Sequence, residues 1–392
     1  MELPSRSTRP ILLCLSHLRW DFVFQRPQHL MTRAATGYQV VFFEEPVPAP
    51  GGDGAPGLAV RRSPEGVLVA TPRLPPNLDA AAADAAQRDL LDGLLADLAA
   101  PVAVSWFYTP MALAFAGHVR AAVTVYDCMD ELTLFRGASP RLSLLERRLL
   151  KRADLVFTGG RSLYKSKRSL HPHAHLFPSS VDAAHFRRAR CWDAAEPEDQ
   201  AGLPRPRIGF FGVLDERMDY ALLDALAAAR PSWHLVMLGP TAKIDPAALP
   251  RRPNLHWLGM KSYAELPAYL AGWDAGLMPF ALNEATRFIS PTKTPEFLAA
   301  GVPLVSTPVP DVVSDWGRDG LVEIADGPDT VIAAVEMVLA RPRQPWLARV
   351  DQRLRWLSWD ATWLRMRALI EDAATGVVRP QPTLPVEGPA RA

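Results

Sequence analysis

Residues 290–310 read SPTKTPEFLAAGVPLVSTPVP, and the fold prediction starts from this stretch. Two prolines, a lysine and one glutamate fill its first seven positions, and small apolar residues follow. Thr294 before Pro295 fits an N-cap followed by a proline in the first turn, which predicts a short helix. Ser290 and Pro291 offer an earlier start. The run PLVST then predicts a buried strand, so the stretch has the pattern of a helix-strand unit in a parallel sheet.

The start of the predicted helix offers a place for an anion. Its free backbone amides point back at residues 290–294, where Lys293 adds a positive charge. Helix N-termini of this kind bind phosphate groups. Glu296 lies one step into the helix, where it can accept hydrogen bonds from vicinal ribose hydroxyls or simply offset the positive helix end. The residues predicted to hold the anion here are Ser290, Thr292, Lys293 and Thr294.

Strand and helix patterns alternate along most of the chain. A first series runs from ILLCLS at residue 11 to DLVFTGG at residue 154, and a second runs from RIGFFG at residue 207 to Ala340. This alternation is typical of β-α-β units. We therefore predict an α/β protein with two doubly wound parallel sheets in tandem.

The break between the two series sets the predicted domain bounds. Residues 187–206 are polar, charged and proline-bearing, which favours a linker between domains at 1–188 and 205–359. The last helical pattern, about 360–376, is rich in tryptophan and is predicted to pack back on the first domain. Residues 377–392 are expected to be disordered.

Two segments of the first series lie outside its strands. Residues 47–66 are rich in Gly, Pro and Ala, which predicts an exposed loop that can act as a flap. The stretch DAAAADAAQRDLLDGLLADLAA predicts one long surface helix.

Composition restricts the class of protein. The 392 residues are 48% hydrophobic and 22% charged, which is globular and leaves room for two domains. No apolar run approaches the ~20 residues of a membrane span, and ILLCL is shorter than the roughly 7 residues of a signal-peptide core. Three widely spaced cysteines favour neither a disulfide framework nor a zinc site. We expect a cytoplasmic protein.

A basic segment stands out against the net charge of +1. Residues 131–170 contain ten basic and three acidic side chains. A solvated face over a core stripe explains this pattern, and so does peripheral contact of residues 141–168 with an anionic membrane at the inner face of the plasma membrane. Nucleic acid is not expected, because aromatic residues are not interleaved with the charge. The stripe is Leu142, Leu145, Leu149 and Leu150, and the charges are Arg147, Arg148, Lys151 and Arg152.

Neither GxGxxG nor GxxxxGK[ST] occurs, so the usual phosphate loops are missing. In RIGFFGVLDERMD, Gly212 lets the backbone turn sharply after a strand, and Arg217 can reach an anionic diphosphate. Lys243 and Gly259 complete the predicted anion-binding set.

Several stretches together resemble one enzyme family. PTKTPEFLAAGVPLVST resembles the nucleotide-sugar segment of GT-B fold glycosyltransferases, especially the retaining family four (group 1), whose motif "KxxEyLAaGkPvv" holds the donor ribose. ADLVFTGGRSLYKSKR, HLFPSSVDAAHF, RIGFFGVLDERMD and LHWLGMKSYAELPAYLAGWDAGLMPF agree with further family segments in the right order. With SHLRWDFVFQRPQHL, the pattern is most similar to the branch that includes teichuronic acid glycosyltransferases. The resemblance covers residues 11–370.

The resemblance implies a function. It implies transfer of a sugar from a nucleoside diphosphate donor, UDP-linked, to a glycan or lipid-linked acceptor in cell-surface polysaccharide synthesis, with retention and without a metal or other cofactor. Glu296 is then the ribose ligand. Two rivals share the fold: a nucleotide-sugar 2-epimerase, and a non-catalytic nucleotide-sugar-binding partner of a polysaccharide assembly complex.

The chain departs from the family at one position. The family's paired glutamates stand eight residues apart, and eight before Glu296 is Phe288. Either Asn283, Glu284 and Arg287 contact the sugar from an altered loop, or that contact is lost.

The loop after the first strand is a candidate for acceptor binding. Three charged residues and a histidine lie close together in the stretch SHLRWDFVFQRPQHL. The stretch follows the end of a strand, which is where ligands bind in open α/β sheets. Packing in the hydrophobic core explains Trp20, but it does not explain the charged residues of this loop. Among them, Asp21 is a candidate catalytic group. The candidates are His17, Arg19, Trp20, Asp21 and Arg26.

The stretch VYDCMDELTLF places acids after a buried strand of the same sheet. Asp127 or Asp130 can serve as a general base for an acceptor hydroxyl or orient the sugar. The alternative is an N-cap cluster that opens the next helix. No metal site is expected here, and the alternating His171, His173 and His175 lack the carboxylate or cysteine that would favour one.

Overall fold

The computed structural model describes residues 9–51 and 54–377, and two parallel sheets organise them. The first sheet has the strand order β3-β5-β2-β1-β6-β7-β8-β9, and its one antiparallel pairing among the described residues joins β4 to β5. Its strands are β1 (Ile11–Leu15), β2 (Gln39–Phe43), β3 (Val47–Pro48), β4 (Gly57–Arg62), β5 (Leu68–Leu74), β6 (Val102–Phe107), β7 (Val123–Cys128), β8 (Leu155–Thr158) and β9 (Ala174–Leu176).

The second sheet follows in the chain and is parallel throughout its described pairings, in the order β12-β11-β10-β13-β14-β15. Its strands are β10 (Arg207–Phe211), β11 (His234–Leu238), β12 (Leu255–Gly259), β13 (Ala275–Met278), β14 (Leu304–Ser306) and β15 (Val322–Ile324). We call the residues around the first sheet the N-terminal half and those around the second sheet the C-terminal half. The predicted α/β class with two parallel sheets is confirmed.

Helices cover both faces of each sheet, which is why central strands such as β1 and β10 are buried along their whole length. In the N-terminal half they are α1 (Arg26–Ala34), α2 (Ala80–Leu98), α3 (Leu113–Ala116), α4 (Leu142–Arg152) and α5 (Arg161–Lys167). The next helix, α6 (Ala183–Arg187), packs on the core of the second sheet through Phe186. The rest are α7 (Glu198–Ala201), α8 (Tyr220–Ala229), α9 (Leu266–Ala271), α10 (Lys293–Ala300), α11 (Pro310–Val312), α12 (Pro328–Ala340), α13 (Arg343–Leu354) and α14 (Trp359–Thr375).

The last helix, α14, crosses back to the N-terminal half. Trp359 and Trp363 are buried in the same core as Trp106 of β6, and Arg33 of α1 pairs with Asp360 at 2.9 Å. Burial of two tryptophans fixes the helix there, because large aromatic side chains dominate the packing energy of a core. The domain bounds drawn from the sequence stay predictions, and residues 1–8 and 378–392 lie outside the described residues.

Residues 187–206, the predicted linker, pack closely on the second sheet. The Gln200 side chain is buried, donates to the Tyr269 carbonyl at 3.0 Å and accepts from the Trp273 indole at 2.8 Å. Arg207 pairs with Glu196 at 2.9 Å. These polar groups bind one another instead of solvent, and the interdomain linker stays a prediction.

The predicted flap differs from the structure in part. Within 47–66, residues 57–62 form β4, which pairs with β5 as a hairpin. The histidine stretch includes β9, which pairs in parallel with β8. The long helix predicted after residue 78 is α2, with Asp79 as its N-cap.

Candidate active site

A cavity of about 380 Å³ lies between the two halves of the molecule. One wall comes from loops at the carboxyl ends of β10, β11 and β12 together with the first turn of α10, which is where open α/β sheets bind ligands. The other wall comes from the loop after β1 and the tip of the β4–β5 hairpin. The lining residues are Trp20, Asp21, Phe22, Val23, Phe24, Pro64, Glu65, Phe211, Gly212, Leu238, Gly239, Pro240, Met260, Lys261, Ser262, Tyr263, Leu266, Lys293 and Glu296.

Two glycines let the loops of the C-terminal wall approach one another. Gly212 has φ 147°, and a Cβ there would lie 3.0 Å from Lys293 Cε. Gly239 has φ 143°, and a Cβ there would lie 1.7 Å from the Gly212 carbonyl oxygen. Both backbone conformations favour glycine, and at Gly239 the space also requires it, because the near atom belongs to the backbone. Gly212 was predicted from the sequence and Gly239 was missed, although it also ends a strand pattern.

Glu296 faces the cavity from α10 and is 5% exposed. Burial raises the pKa of its carboxyl to about 8, and the nearby Lys293 ammonium opposes that rise. Burial likewise lowers the pKa of Lys293, with Glu296 acting in the opposite direction. The two groups therefore form a coupled acid-base pair on the cavity wall.

The first turn of α10 starts two residues earlier than predicted, because Thr292 and not Thr294 is the N-cap residue. The helix begins at Lys293, so Pro295 occupies the third helical position, where its missing N–H has no partner within the helix to lose. Thr294 is buried, and its hydroxyl donates to the Met278 sulfur at 3.7 Å. Thr294 is thus turned into the core, which corrects its predicted role as cap and anion ligand.

The other two residues at this turn lie beside the cavity lining. The Thr292 hydroxyl accepts from Lys293 Nζ at 3.3 Å, so it can orient the lysine. The Ser290 carbonyl accepts from the Ser179 hydroxyl at 3.5 Å, which places Ser290 against the N-terminal half.

Three cations of the C-terminal half surround one acid of the N-terminal half. Asp130 is partly buried, and burial raises the pKa of its carboxyl while Arg217, Lys293 and Lys243 act to lower it. Arg217 is itself paired with Asp215 at 2.7 Å. The predicted anion ligands Arg217, Lys243 and Lys293 are therefore brought together, with Asp130 opposite them.

Phe135 covers two of these cations from the N-terminal half. Its ring centroid lies 5.6 Å from the Arg217 guanidinium carbon and 5.2 Å from Lys243 Nζ. These are cation–π distances. No motif in the sequence pointed to Phe135, because the contact joins residues far apart in the chain.

The loop after β1 reaches the same region. His17 lies close to Lys243, and burial followed by that charge lowers the pKa of its imidazole to about 4. The Trp20 amide donates to Glu44 at 2.8 Å, which holds the loop in place with the indole facing the cavity. Asp21 also lines the cavity, and its exposed carboxylate pairs with Arg61 of β4.

Arg19 lies at the edge of this loop. It donates to the Pro46 carbonyl at 3.1 Å and lies 3.6 Å from the Glu45 carboxylate. Arg19 does not line the cavity, so its position does not support its predicted role as an acceptor ligand.

Arg26 and Asp127 form an ion pair inside the N-terminal half. Both are buried, Arg26 Nε and Nη2 donate to the Asp127 carboxylate at 2.8–3.1 Å, and Arg26 Nη1 donates to the Phe177 carbonyl at 2.7 Å. Neither side chain reaches the cavity. Asp127 as a general base and Arg26 as an acceptor ligand are corrected to a structural pair, because each satisfies the other.

The altered loop before α10 does not reach the cavity either. Glu284 and Arg287 are exposed and pair with each other at 3.7 Å. Phe288 packs against the core of the N-terminal half, with Arg287 stacked over its ring. The prediction that Glu284 and Arg287 contact the sugar is therefore not supported. Gly259 is exposed and supports the wall indirectly, through its carbonyl bond to Gly239.

Several cavity residues were not predicted from the sequence. Tyr263 meets Phe24 across the two halves with ring centroids 4.7 Å apart, and it stacks on His185 at 4.2 Å. Glu65 enters the cavity from the hairpin tip. A sequence pattern identifies such residues as strand-end or turn positions, but it does not show which turns meet across a cleft.

No group of three or more His, Cys, Asp or Glu side chains that could hold a metal ion occurs in the described part of the chain. The residues of 9–51 and 54–377 also include no helix that is long and apolar enough to cross a membrane.

The sequence profile of the family "Glycosyl transferases group 1" matches residues 205–341. This part of the chain is therefore similar to a group 1 glycosyl transferase domain. The same residues contribute the strand ends, glycines and α10 residues that line one wall of the cavity.

A curated relative extends the likeness beyond the group 1 domain. TuaH of Bacillus subtilis (strain 168), whose name places it among teichuronic acid biosynthesis glycosyltransferases, is 28% identical over 235 residues. The alignment covers 55% of this chain and 58% of TuaH. The chain thus matches somewhat more than half the length of this relative.

Solved structures share the fold over nearly the whole chain. Sucrose-phosphate synthase from Thermosynechococcus elongatus has a TM-score of 0.68 at 15% identity, covering 94% of this chain and 100% of its own. The Escherichia coli trehalose-6-phosphate enzyme structure bound with UDP-2-fluoro glucose has a TM-score of 0.63 at 14% identity and 92% and 98% coverage. WaaG, a glycosyltransferase of lipopolysaccharide biosynthesis, scores 0.56 at 14% identity and 93% and 100% coverage. The predicted GT-B fold is confirmed.

Proposed function

We propose that this protein is a glycosyltransferase that moves a sugar from a nucleoside diphosphate donor, UDP-linked, to a glycan or lipid-linked acceptor. One observation carries the proposal: Glu296 and Lys293 line a cavity at the carboxyl ends of β10–β12, within the part of the chain that is similar to a group 1 glycosyl transferase domain. The name of TuaH and the UDP-sugar in the trehalose-6-phosphate enzyme structure add support. Polysaccharide synthesis is the proposed setting.

The proposed orientation of the donor follows from the cavity lining. Glu296 takes the ribose hydroxyls, and the wall formed by Met260, Tyr263 and Leu266 takes the base. The diphosphate then reaches Lys293, with Arg217 and Lys243 beyond it. At neutral pH the raised pKa of Glu296 leaves much of its carboxyl protonated, so it can donate one hydrogen bond and accept another.

The proposed catalytic effect is electrostatic. Negative charge builds up on the departing diphosphate as the glycosidic bond breaks, and the three cations stabilise it from fixed positions. Asp130 lies beside these cations on the N-terminal half, where its carboxylate can accept a hydrogen bond from the acceptor hydroxyl and orient it, and the hydroxyl proton leaves with the departing diphosphate. The two halves enclose the cavity and so exclude water that would hydrolyse the donor. Retention and independence of a metal or other cofactor belong to the proposal through the family resemblance.

The acceptor side of the proposal includes a membrane. The leucine stripe of α4 is buried, and the basic side chains beside it are exposed. Leu144 and Leu170 are 45% and 58% exposed within this basic surface. Exposed leucines among cations fit the headgroup region of an anionic bilayer. The protein is then peripheral at the inner face of the plasma membrane, where a lipid-linked acceptor is available.

Vesicle flotation tests this contact. Arg147→Glu with Arg148→Glu is expected to weaken binding to phosphatidylglycerol vesicles by at least about tenfold, since each cation near the surface contributes ~1 kcal/mol. Arg355→Glu, an exposed cation of the C-terminal half, is the control. Equal binding of all three proteins would remove the membrane from the proposal.

A second candidate is a non-catalytic nucleotide-sugar-binding partner, and the position of Phe288 favours it. That residue packs on the N-terminal half where the resembled family keeps a glutamate. A donor panel separates the candidates. Each UDP-sugar is incubated with and without membrane lipid extract, and UDP and free sugar are measured. UDP release that depends on added lipid supports sugar transfer. Release of free sugar in the absence of an acceptor supports an epimerase. If UDP binds but no donor is turned over, the catalytic proposal is refuted.

A further inference from the structure

Lys167 is a lysine of α5 whose charge is held inside the N-terminal half. The residue is 3% exposed, and its Nζ lies 2.7 Å from Glu131 and 2.7 Å from Glu146. Burial works against its charge, yet its pKa is raised because Cys128, Glu146 and Glu131 favour the ammonium. A lysine buried in this way is retained only when its partners compensate for the lost water. None of the mechanism above uses it.

The two carboxylates belong to different elements. Glu146 is on α4, where it also accepts from the Tyr126 hydroxyl of β7 at 2.9 Å. Glu131 belongs to the segment that follows β7, and it accepts from the Thr133 hydroxyl at 2.8 Å. Lys167 therefore ties the segment after β7 to the helices beneath it.

That segment, residues 129–137, is the part of the N-terminal half that meets the cations of the C-terminal half. Asp130 lies within the field of Arg217, Lys243 and Lys293, and the ring of Phe135 covers Arg217 and Lys243. Glu131 lies between them in the chain and points the other way, to Lys167. The ion pair thus sets how deeply the segment reaches into the cleft.

The base of the segment is fixed on its other side by a glycine. A Cβ on Gly159 would lie 3.0 Å from both Cα and the carbonyl oxygen of Met129, and the Gly159 amide donates to the Cys128 carbonyl at 2.9 Å. The Cys128 thiol also donates to the Asp130 carbonyl at 3.5 Å, and the Glu131–Lys167 pair is the ionic restraint between this base and Phe135. Short turn bonds follow, from the Leu134 amide to the Glu131 carbonyl at 3.0 Å and from the Phe135 amide to the Leu132 carbonyl.

We propose that Lys167 is a positioning residue for the proposed glycosyl transfer: through Glu131 it holds Asp130 and Phe135 against the diphosphate-binding cations. The inference rests on the proposed function. Without the ammonium, the Glu131 and Glu146 carboxylates repel each other and the segment withdraws from the cleft. Small displacements of a supporting group lower the rate of a reaction that depends on fixed geometry.

The test compares Lys167→Met, Glu131→Gln and the charge-keeping Lys167→Arg. Arg207→Met is the control, since it removes a buried cation of the C-terminal half that pairs with Glu196 away from the cavity. Hydrogen exchange at the Leu134 and Phe135 amides is measured first, because it needs no donor. Both Lys167→Met and Glu131→Gln are expected to speed this exchange at least about tenfold, with Arg207→Met and Lys167→Arg near wild type.

Kinetics complete the test. In Lys167→Met and Glu131→Gln, kcat is expected to fall at least about tenfold while the donor KM stays within about threefold, and Lys167→Arg is expected to recover most of the loss. Unchanged exchange, or faster exchange with unchanged kcat, would overturn the inference. If Lys167→Met does not fold, Glu131→Gln decides. Absence of turnover in the wild-type protein on every donor would count against the proposed function instead, and the exchange rates would still show whether Lys167 fixes the segment.

Discussion

Glu296 is buried on a cavity wall, and this burial raises the pKa of its carboxyl to about 8. The folded protein keeps the carboxyl proton up to that pH, whereas an unfolded chain loses it near the ordinary glutamate pKa of 4.5. Between these values the native state binds more protons than the unfolded state. Stability therefore falls as the pH rises through this window.

Thermal unfolding between pH 5 and pH 8.5 tests this linkage. Glu296→Gln cannot titrate, so its Tm is expected to fall less steeply across the window than that of the wild type. Glu284→Gln removes an exposed carboxyl and is the control. Parallel Tm profiles for wild type and Glu296→Gln would show that burial does not hold the proton.

The variant Asp127→Asn tests whether the buried Arg26–Asp127 pair in the N-terminal half is structural. Asp127→Asn leaves the Arg26 guanidinium buried without its carboxylate, and breaking a buried pair costs about 3–5 kcal/mol. We expect a loss of unfolding free energy of that order in urea titrations. A variant with wild-type stability and no turnover would restore Asp127 as a catalytic group.

The sequence identified Glu296 but misassigned Asp127 for one physical reason. Glu296 and its anion-binding neighbours lie within seven residues, so local helix geometry relates them. Asp127 and Arg26 are 101 residues apart, and their pairing is a property of the folded sheet. The same limit explains why Phe135 and Tyr263 were missed.

The loops at the strand ends of the C-terminal half line the cavity. They approach one another most closely at Gly239. Gly239→Ala would place a Cβ 1.7 Å from the Gly212 carbonyl at φ 143°, so the loops must separate. We expect a loss of at least about 1–3 kcal/mol in stability together with weaker nucleotide binding in calorimetry.

Gly93→Ala is the matched control for that change. Gly93 lies within α2 with nothing within 4 Å of the added Cβ, and alanine in a helix interior is favoured by roughly 0.5–1 kcal/mol. A Gly239→Ala protein that binds nucleotide as tightly as the wild type would show that loop contact is not needed for the cavity.

Most elements were predictable because parallel strands and amphipathic helices leave strong local patterns. Their boundaries and their connections were not. The start of α10 lies two residues before the predicted position, β4 of the β4–β5 hairpin was predicted to be a loop, and residues 187–206 pack on the second sheet through buried polar groups such as Gln200. Each difference arises from tertiary partners that local composition does not reveal.

At the scale of the whole molecule, the two halves are joined by specific contacts as well as by α14. The Asp311 carboxylate of α11 accepts from the amide and hydroxyl of Ser162 on α5, and Asp315 pairs with Arg161. A Cβ on Gly160 would collide with both Asp311 and Ser290. These contacts hold the cleft closed next to α10.

Small-angle scattering tests this closure. Asp311→Ala is expected to increase the radius of gyration of the nucleotide-free protein, because the second half loses its anchor on α5, and UDP is expected to reverse part of the increase. Asp326→Ala, at an exposed site that follows β15, is the control. An unchanged radius in Asp311→Ala would show that the Asp311–Ser162 contact is not needed to keep the cleft closed.

The central claim is that the cavity beside α10 holds a donor nucleotide with Glu296 on its ribose. Calorimetric titration of wild type and Glu296→Gln with UDP and 2′-deoxy-UDP tests it most directly. The wild type is expected to bind UDP about tenfold more tightly than 2′-deoxy-UDP, because a tenfold difference corresponds to about one hydrogen bond. Glu296→Gln is expected to bind UDP more weakly than the wild type, with the preference for UDP reduced to about twofold or less. The claim would be contradicted if the wild type bound UDP and 2′-deoxy-UDP equally tightly. It would also be contradicted if Glu296→Gln preferred UDP as strongly as the wild type does.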